Sequence, residues 1–127
     1  YEEMIEKVLA RMENVLVYQP DIICLPELFA TIKLYNVPSP SLDEVAEKPL
    51  GKISGRFAEW AKKNNCYVIC PISTKEDGYY YNAAIVIDRS GKLMGEYRKT
   101  YLTEGEMMGG YTCGPIDPPV FKTDFGI

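Results

Sequence analysis

Two residues of opposite charge stand at predicted strand ends, and they are the first candidates for chemistry in this sequence. Glu27 follows the apolar run at residues 22–25, whose β-branched side chains favour a short strand. Lys99 follows residues 92–98, which have the pattern of a strand returning from a turn. The chain contains no histidine, and this excludes a Ser-His-Asp or Cys-His site within it. Proton transfer would therefore fall to Glu, Asp, Lys, Tyr or Cys.

The position of Glu27 predicts how its carboxylate behaves. Residues 22–25 have the composition of a strand buried on both faces in the middle of a parallel sheet, and open α/β sheets place their chemistry at the C-terminal ends of strands. Desolvation there would raise the pKa of Glu27 and make it a proton acceptor near neutral pH. The alternative, which position alone favours, is a solvated loop glutamate, because most strand-end acids have no function.

Composition restricts the class of protein. The 127 residues suffice for one domain, and the net charge of −4 argues against a nucleic-acid partner, which would require a basic face. No stretch approaches the roughly 20 apolar residues of a membrane helix. The four cysteines lack zinc-site spacing and indicate reduced thiols in a cytoplasmic protein. We therefore expect no metal, no cofactor, no membrane and no nucleic acid.

Hydrophobic periodicity predicts a mixed α/β fold. Two stretches have the apolar spacing of amphipathic helices, and five short apolar runs have the composition of strands. The turn at residues 89–91 is short, so the strands on either side of it form an antiparallel hairpin. Trp60 is expected to anchor the core. The predicted helices span residues 5–16 and 52–65, and the predicted strands span residues 22–25, 66–72, 79–88, 92–98 and 120–123.

Two segments lack periodicity, at residues 30–48 and 99–119. Loops of this length inside a compact domain are often functional. The aromatic and methionine side chains in and beside them suit a small, partly apolar pocket, and they suit a buried interface equally well. These side chains are Phe29, Tyr35, Met107, Met108 and Tyr111.

The C-terminal residues predict a structure that the chain does not complete. Residues 124–126 have the composition of a turn, and Ile127 would open a further strand. A hairpin cut after its turn leaves a sheet edge without a partner, and unpaired edges invite association. We therefore expect the isolated chain to be marginally stable and to self-associate.

The order of several short motifs resembles that of the nitrilase superfamily of carbon–nitrogen hydrolases across nearly the whole chain. No single motif is decisive, but their order and spacing together carry the resemblance. It implies an α/β fold, an α-β-β-α sandwich with mixed sheets, here truncated: residues 1–127 would be the N-terminal half of one hydrolase domain. The motifs are Asp21-Ile22-Ile23-Cys24-Leu25-Pro26-Glu27, Ala61-Lys62-Lys63-Asn64, Tyr81-Asn82-Ala83-Ala84, Asp88-Arg89-Ser90-Gly91, Tyr97-Arg98-Lys99 and Val120-Phe121-Lys122-Thr123-Asp124-Phe125-Gly126.

The resemblance also implies roles for individual residues. Members of the family use a cysteine nucleophile, a glutamate base and a lysine. By motif, Glu27 corresponds to the base and Lys99 to the lysine, which would stabilise the charge of a tetrahedral intermediate. Glu106 corresponds to a further glutamate that many members carry shortly after the lysine, and Glu104 competes with it for that role. No cofactor is implied, and the partner is a small-molecule substrate.

The nucleophile is the part that the chain does not supply. The resemblance places it after the strand that Ile127 begins, and none of the four cysteines matches its motif. Cys113 lies in a loop near Lys99 and is the candidate within the chain, although a lone thiol is usually inert.

Three functions therefore remain open. The leading one is part of a cysteine hydrolase of a small amide, an N-carbamoyl compound or a nitrile, in a homodimer or higher homo-oligomer. The second is a catalytically inactive module of the same fold that binds a partner or assembles, since the nucleophile is missing. The third is an unrelated nucleotide-binding α/β domain, which ranks last because no glycine-rich phosphate loop follows either early strand.

Overall fold

The computed structural model describes residues 2–31 and 40–126, which form a four-stranded sheet, four α-helices and one short 3-10 helix (Leu16–Tyr18). The helices are α1 (Glu2–Val15), α2 (Leu42–Val45), α3 (Ser54–Asn64) and α4 (Glu104–Met108), and the strands are β1 (Ile22–Cys24), β2 (Tyr67–Glu76), β3 (Tyr79–Ile87) and β4 (Leu93–Arg98). The strand order is β1-β2-β3-β4, with β1 and β2 parallel and the other pairs antiparallel. The predicted mixed sheet and the predicted hairpin are confirmed. Within these residues no helix is long and apolar enough to cross a membrane.

Two long helices cover one face of the sheet. Apolar side chains of α1 and α3 join a single core cluster with alternate residues of β2 and β3. Phe57 of α3 is fully buried and meets Phe29 edge to face, with ring centroids 5.2 Å apart. Trp60 is a core anchor, as predicted, and its Nε1 donates to Glu13 of α1 at 2.9 Å. A sheet with its helices on one side is one half of an α-β-β-α sandwich.

The C-terminal residues pack on the opposite face of the sheet. Gly95 of β4 makes room for the ring of Phe121, because a Cβ at that position would lie 2.6 Å from it. Phe125 meets Tyr67 of β2 edge to face at 5.3 Å. The predicted strand at residues 120–123 is wrong, since this segment joins no ladder of the described sheet. Its aromatic residues serve side-chain packing instead, and the predicted strand opening at Ile127 lies outside the described residues.

Arg89, in the turn between β3 and β4, fastens this C-terminal segment to the sheet. Its guanidinium donates to Asp124, to Asp21 before β1, and at 2.7 Å to the Asn65 carbonyl after α3. It also lies 5.0 Å from the ring centroid of Tyr67. One cation therefore connects four segments that are remote in the sequence.

The position of β1 corrects a prediction. Residues 22–25 were expected in the middle of the sheet, but β1 is at its edge among the described strands, and Ile22 and Cys24 are exposed. The composition of the run shows that it is a strand, but apolar side chains alone do not distinguish an edge strand that packs against a helix from a central one.

The side chains expected to line a pocket have different surroundings. Phe29 is buried in the core, Met107 and Met108 are exposed, and Tyr111 is half-buried, with its hydroxyl 2.6 Å from that of Ser73. Tyr35 and most of the first irregular segment lie outside the described residues. Of these side chains, Phe29 therefore belongs to the core and Tyr111 packs on the sheet.

We expect Phe57→Ala to lower the free energy of unfolding by about 3–5 kcal/mol, because it opens a cavity between α3 and the sheet. Urea unfolding followed by circular dichroism would measure this. Val17→Ala is the matched control, since Val17 is 77% exposed and should change stability by less than about 0.5 kcal/mol. Equal effects of the two substitutions would contradict the described core.

Candidate active site

Lys99 is placed by the last step of the β3–β4 ladder. Ala83 pairs with Arg98, and the Lys99 backbone N–H continues the ladder by donating to the Asn82 carbonyl at 2.8 Å. Lys99 and Asn82 are therefore neighbours on adjacent strands. Asn82 lies three residues from Ile85, whose side chain is in the core, so Asn82 faces the other side of the sheet.

Glu27 is presented by a turn directly after β1. The Leu25 N–H donates to the Ile69 carbonyl at 3.0 Å, and this bond holds the end of β1 against β2. Leu28 then adopts a φ of 48°, in the left-handed region that is costly for a leucine. Phe29 is buried, so the core anchors the chain on the far side of the turn. The carboxylate of Glu27 is thus held at the strand end by its neighbours on both sides.

Glu106 is positioned by a helix that the sequence analysis did not predict. The short helix α4 begins with a capping box, in which the Thr103 side chain accepts from the Glu106 N–H at 3.2 Å. In return, Glu106 Oε2 accepts from the Thr103 N–H at 2.8 Å. A threonine followed three residues later by a glutamate is the sequence signal for this motif.

The three predicted site residues meet in one cluster. Lys99 Nζ donates to Glu27 Oε1 at 2.8 Å and to Glu106 Oε1 at 2.9 Å. The prediction that Glu27 and Lys99 lie close together is confirmed. Of the two later glutamates, Glu106 is the one that contacts Lys99, and no described ion pair joins Glu104 to it.

Asn82 is a fourth member that the sequence analysis did not name as a site residue. Its Nδ2 donates to the same two oxygens, Glu27 Oε1 at 2.6 Å and Glu106 Oε1 at 2.7 Å. The motif containing it carried part of the family resemblance, but nothing local in the sequence shows that its side chain faces two carboxylates. The role of Asn82 can be recognised only from the pairing of β3 with β4, which places Asn82 beside Lys99.

All three ionisable groups of the cluster are charged at neutral pH. Hydrogen bonds from Lys99 and then Asn82 lower the pKa of Glu27, while hydrogen bonds to Glu27 and then Glu106 raise the pKa of Lys99. Burial acts to raise the pKa of Glu106, but hydrogen bonds from Thr103, Lys99 and Asn82 outweigh it and bring the pKa to about 2. Two carboxylates and one ammonium leave one negative charge uncompensated.

The direction of the Glu27 pKa corrects the sequence prediction. Desolvation was expected to raise it, but the side chain is 58% exposed at the sheet edge and is bound to a cation. Glu27 is therefore ionised at neutral pH because of its partners. It can accept a proton there, although its basicity is lower than a desolvated carboxylate would have.

The two carboxylates differ in how many of their oxygens are occupied. Glu106 uses both: Oε1 accepts from Lys99 and Asn82, and Oε2 accepts from Thr103. Glu27 accepts both of its bonds on Oε1, and no donor among the described residues reaches its Oε2. Glu106 is also less accessible, with 16% of its side chain exposed. Glu27 is thus the carboxylate with an oxygen available for a proton.

A cleft of about 290 Å³ opens beside the cluster. The small side chains Ala83 and Ala84, together with Pro71 and Tyr97, line it next to Glu27, Asn82 and Lys99. An ammonium has three donors, and within the described part of the chain the two carboxylates take two of those of Lys99. The third is available to an oxygen that develops negative charge in the cleft.

The Cys113 loop adjoins Lys99, because the Gly114 N–H donates to the Lys99 carbonyl at 2.8 Å. No hydrogen bond in the described residues joins a cysteine to the cluster, and Cys113 is an exposed free thiol. Burial raises the pKa of Cys66 and Cys70, so both stay protonated and are poor nucleophiles. Nor does the described part of the chain group three or more His, Cys, Asp or Glu side chains in a way that would hold a metal.

The pKa of Glu106 predicts a pH dependence of stability. Because the pKa is about 2 in the folded state against the usual 4.5, the stabilisation is complete above pH 4.5 and is lost as the pH falls toward 2. We expect Glu106→Gln to be less stable than wild type at neutral pH and the difference to shrink on acidification. Urea unfolding at several pH values measures this. Glu104→Gln on the same helix is the control, and an equal loss from it would contradict the assignment.

Comparisons with known proteins agree with the fold. The profile of the family described as carbon-nitrogen hydrolase matches residues 1–127. An amidase from Nesterenkonia sp. AN1, solved as a glutamate-to-glutamine mutant with acrylamide added at its active-site cysteine, superposes with a TM-score of 0.75. That alignment covers 97% of this chain and 48% of the amidase at 15% identity, so it bears on the fold alone.

Two curated relatives extend the comparison. The chain is 30% identical over 108 residues to the protein N-terminal amidase of Saccharomyces cerevisiae, covering 84% of this chain and 24% of that protein. It is 28% identical over 112 residues to the beta-ureidopropionase of Arabidopsis thaliana, covering 84% of this chain and 28% of that protein. The chain thus spans about a quarter of the length of these relatives. Together with the profile match over its whole length, they show that the chain belongs to the carbon–nitrogen hydrolase family.

Proposed function

We propose that this chain supplies the base and the charge-stabilising lysine of a cysteine hydrolase that cleaves a non-peptide carbon–nitrogen bond in a small amide, an N-carbamoyl compound or a nitrile. The observation that supports it is the cluster in which Lys99 bridges Glu27 and Glu106 beside a cleft. The nucleophilic cysteine would be supplied by sequence that follows Ile127.

An amide substrate would be hydrolysed in two stages, acylation of the cysteine and hydrolysis of the thioester. Glu27 Oε2 takes the thiol proton, and the thiolate forms a bond to the carbonyl carbon while the carbonyl electrons move to oxygen. Lys99 donates to that oxyanion. As the oxyanion collapses, the C–N bond breaks and the leaving nitrogen takes the proton from Glu27. Glu27 next takes a proton from water, the hydroxide attacks the thioester, and the departing thiolate recovers that proton.

Glu106 has a different role in this proposal. Its two oxygens are occupied and its pKa is about 2, so it is a poor proton acceptor. It keeps Lys99 protonated and fixes the position of its ammonium. Because Glu106 shares the Lys99 ammonium, the positive charge of Lys99 does not fully compensate the negative charge of Glu27.

A second function is favoured by one observation, namely that no thiol of the described residues is hydrogen-bonded to the cluster. A catalytically inactive module that binds a partner or assembles would keep the fold and the cluster without a nucleophile. The two functions differ in whether residues after Ile127 provide a cysteine at the cleft.

The deciding experiment uses the natural polypeptide that contains this chain and continues past Ile127, assayed on primary amides, N-carbamoyl amino acids and nitriles. Glu27→Gln should reduce kcat by at least about 1,000-fold, because the base is lost while its hydrogen-bonding shape is kept. Lys99→Met should reduce kcat on the order of 100- to 1,000-fold through loss of the oxyanion donor. Glu104→Gln is the control and should retain full activity. Turnover that survives Glu27→Gln would refute the proposal.

The chain ending at Ile127 is expected to show no turnover of the same substrates, because it provides a base and a donor without a matched nucleophile. The assay should include Cys113→Ser in both polypeptides. Activity of the short chain that disappears in Cys113→Ser would transfer the nucleophilic role to this loop thiol and would contradict the proposed position of the cysteine.

A further inference from the structure

Asn82 is a buried polar side chain that the proposed reaction does not use. It is 4% exposed, and its Nδ2 donates to Glu27 Oε1 at 2.6 Å and to Glu106 Oε1 at 2.7 Å. The same two oxygens accept from Lys99 Nζ at 2.8 and 2.9 Å. The Oε1 atom of each glutamate therefore accepts from both the Asn82 amide and the Lys99 ammonium. Asn82 and Lys99 each bridge the two carboxylates.

The second bridge between the two carboxylates is the side-chain amide of Asn82, which carries no charge. A second lysine in place of the amide would balance both negative charges and leave Glu27 a weaker base. A second carboxylate would repel the pair. An amide supplies two N–H donors and no charge, so it satisfies the crowded oxygens while one negative charge stays uncompensated beside the cleft.

The geometry also determines which oxygen of Glu27 remains available. Rotation of a carboxylate about its last bond exchanges its two oxygens, and one contact with a flexible lysine would not prevent that exchange. Asn82 is fixed on β3, because its carbonyl accepts from the Lys99 N–H and its strand is paired on both sides. Two donors on Oε1, one of them rigid, keep Oε2 turned away from both.

We propose that Asn82 is the positioning residue of this site: it locks Glu27 Oε1 and thereby presents Oε2 to the cleft as the proton acceptor, without altering the charge of the cluster. This inference rests on the proposed function. The ionisable groups that surround Asn82 are Glu27 after β1, Lys99 after β4 and Glu106 on α4. Tyr111 lies one strand further, with its hydroxyl 2.6 Å from that of Ser73, which pairs with Asn82.

The first test changes the charge of Asn82 while keeping its shape. In the natural polypeptide that continues past Ile127, Asn82→Asp puts a third carboxylate against Glu27, and a like charge raises the pKa of its neighbour. The acid limb of the kcat/KM profile should move to higher pH by about one pH unit or more. Asn64→Asp is the matched control, because it makes the same change of charge at the end of α3 and should leave the profile unchanged.

The second test removes both donors while keeping the charge and most of the volume. Asn82→Leu should lower kcat on the order of 100-fold with KM changed less than about threefold, since Glu27 stays ionised but its acceptor oxygen is no longer fixed. Thr74→Val is the control for altering a buried polar residue of the sheet, because no described group pairs with the Thr74 hydroxyl.

Carboxyl carbon NMR of Glu27 in the same variants gives a readout that does not depend on turnover. A higher pKa of Glu27 in both Asn82 variants, with neither control moving it, supports the positioning role. An unchanged Glu27 pKa and an unchanged pH profile, with only lower stability, would show that Asn82 merely fills the sheet and would overturn the inference. If the natural polypeptide hydrolyses nothing but the Glu27 pKa still moves, the proposed function fails, and the hydrogen bond from Asn82 to the Glu27 carboxylate still stands.

Discussion

The structure of this site depends on one interaction, an ammonium shared by two carboxylates. Like charges held this close repel strongly at the dielectric of a partly buried site, and Lys99 makes their approach possible by lying 2.8 and 2.9 Å from one oxygen of each. The three residues come from three parts of the chain, namely the end of β1, the end of β4 and helix α4. The fold places each of them by its own backbone contacts, so the cluster is formed by the fold rather than by a local motif.

The two carboxylates differ in exposure and in hydrogen bonding, and this difference suits them to different chemical roles. Glu106 is enclosed by a capping box, by Lys99 and by Asn82, and it remains an anion over the whole physiological range. Glu27 is exposed, bound through one oxygen only, and adjacent to the cleft. A fixed anion, a fixed cation and an accessible carboxylate are what an acyl transfer with a proton acceptor and an oxyanion donor requires. The family to which the chain belongs performs carbon–nitrogen hydrolysis, and the residues described here suit two parts of that chemistry.

The sequence predicted much of this arrangement, for identifiable reasons. Periodicity predicted α1, α3 and the β3–β4 hairpin, because each has enough residues for its pattern to show. Motif order predicted the meeting of Glu27 with Lys99 across the sheet. The five-residue helix α4 is too short for periodicity, although the Thr103 and Glu106 pair carried its capping signal.

Other features depended on tertiary contacts that no local pattern encodes. The edge position of β1 and the lowered pKa of Glu27 both arise from which neighbours a strand end meets. The sequence predicted a central β1 and a pKa of Glu27 raised by desolvation, and only its alternative, a solvated glutamate, agrees with the 58% exposure of the side chain. The side chain of Asn82 reaches the carboxylates only through the strand register. The C-terminal residues have strand composition, yet their rings pack on Gly95 and Tyr67 without entering the ladder.

Titration of the side-chain nitrogen of Lys99 by NMR in the wild-type protein tests most directly whether this ammonium holds the two carboxylates. If Lys99 is a permanent cation that holds two carboxylates, its pKa lies above the usual 10.5, because hydrogen bonds to Glu27 and then Glu106 favour the ammonium. A pKa below 10.5, approaching neutrality, would mean that Lys99 exchanges protons instead of fixing charge, and it would contradict the assignment of Glu27 as the base.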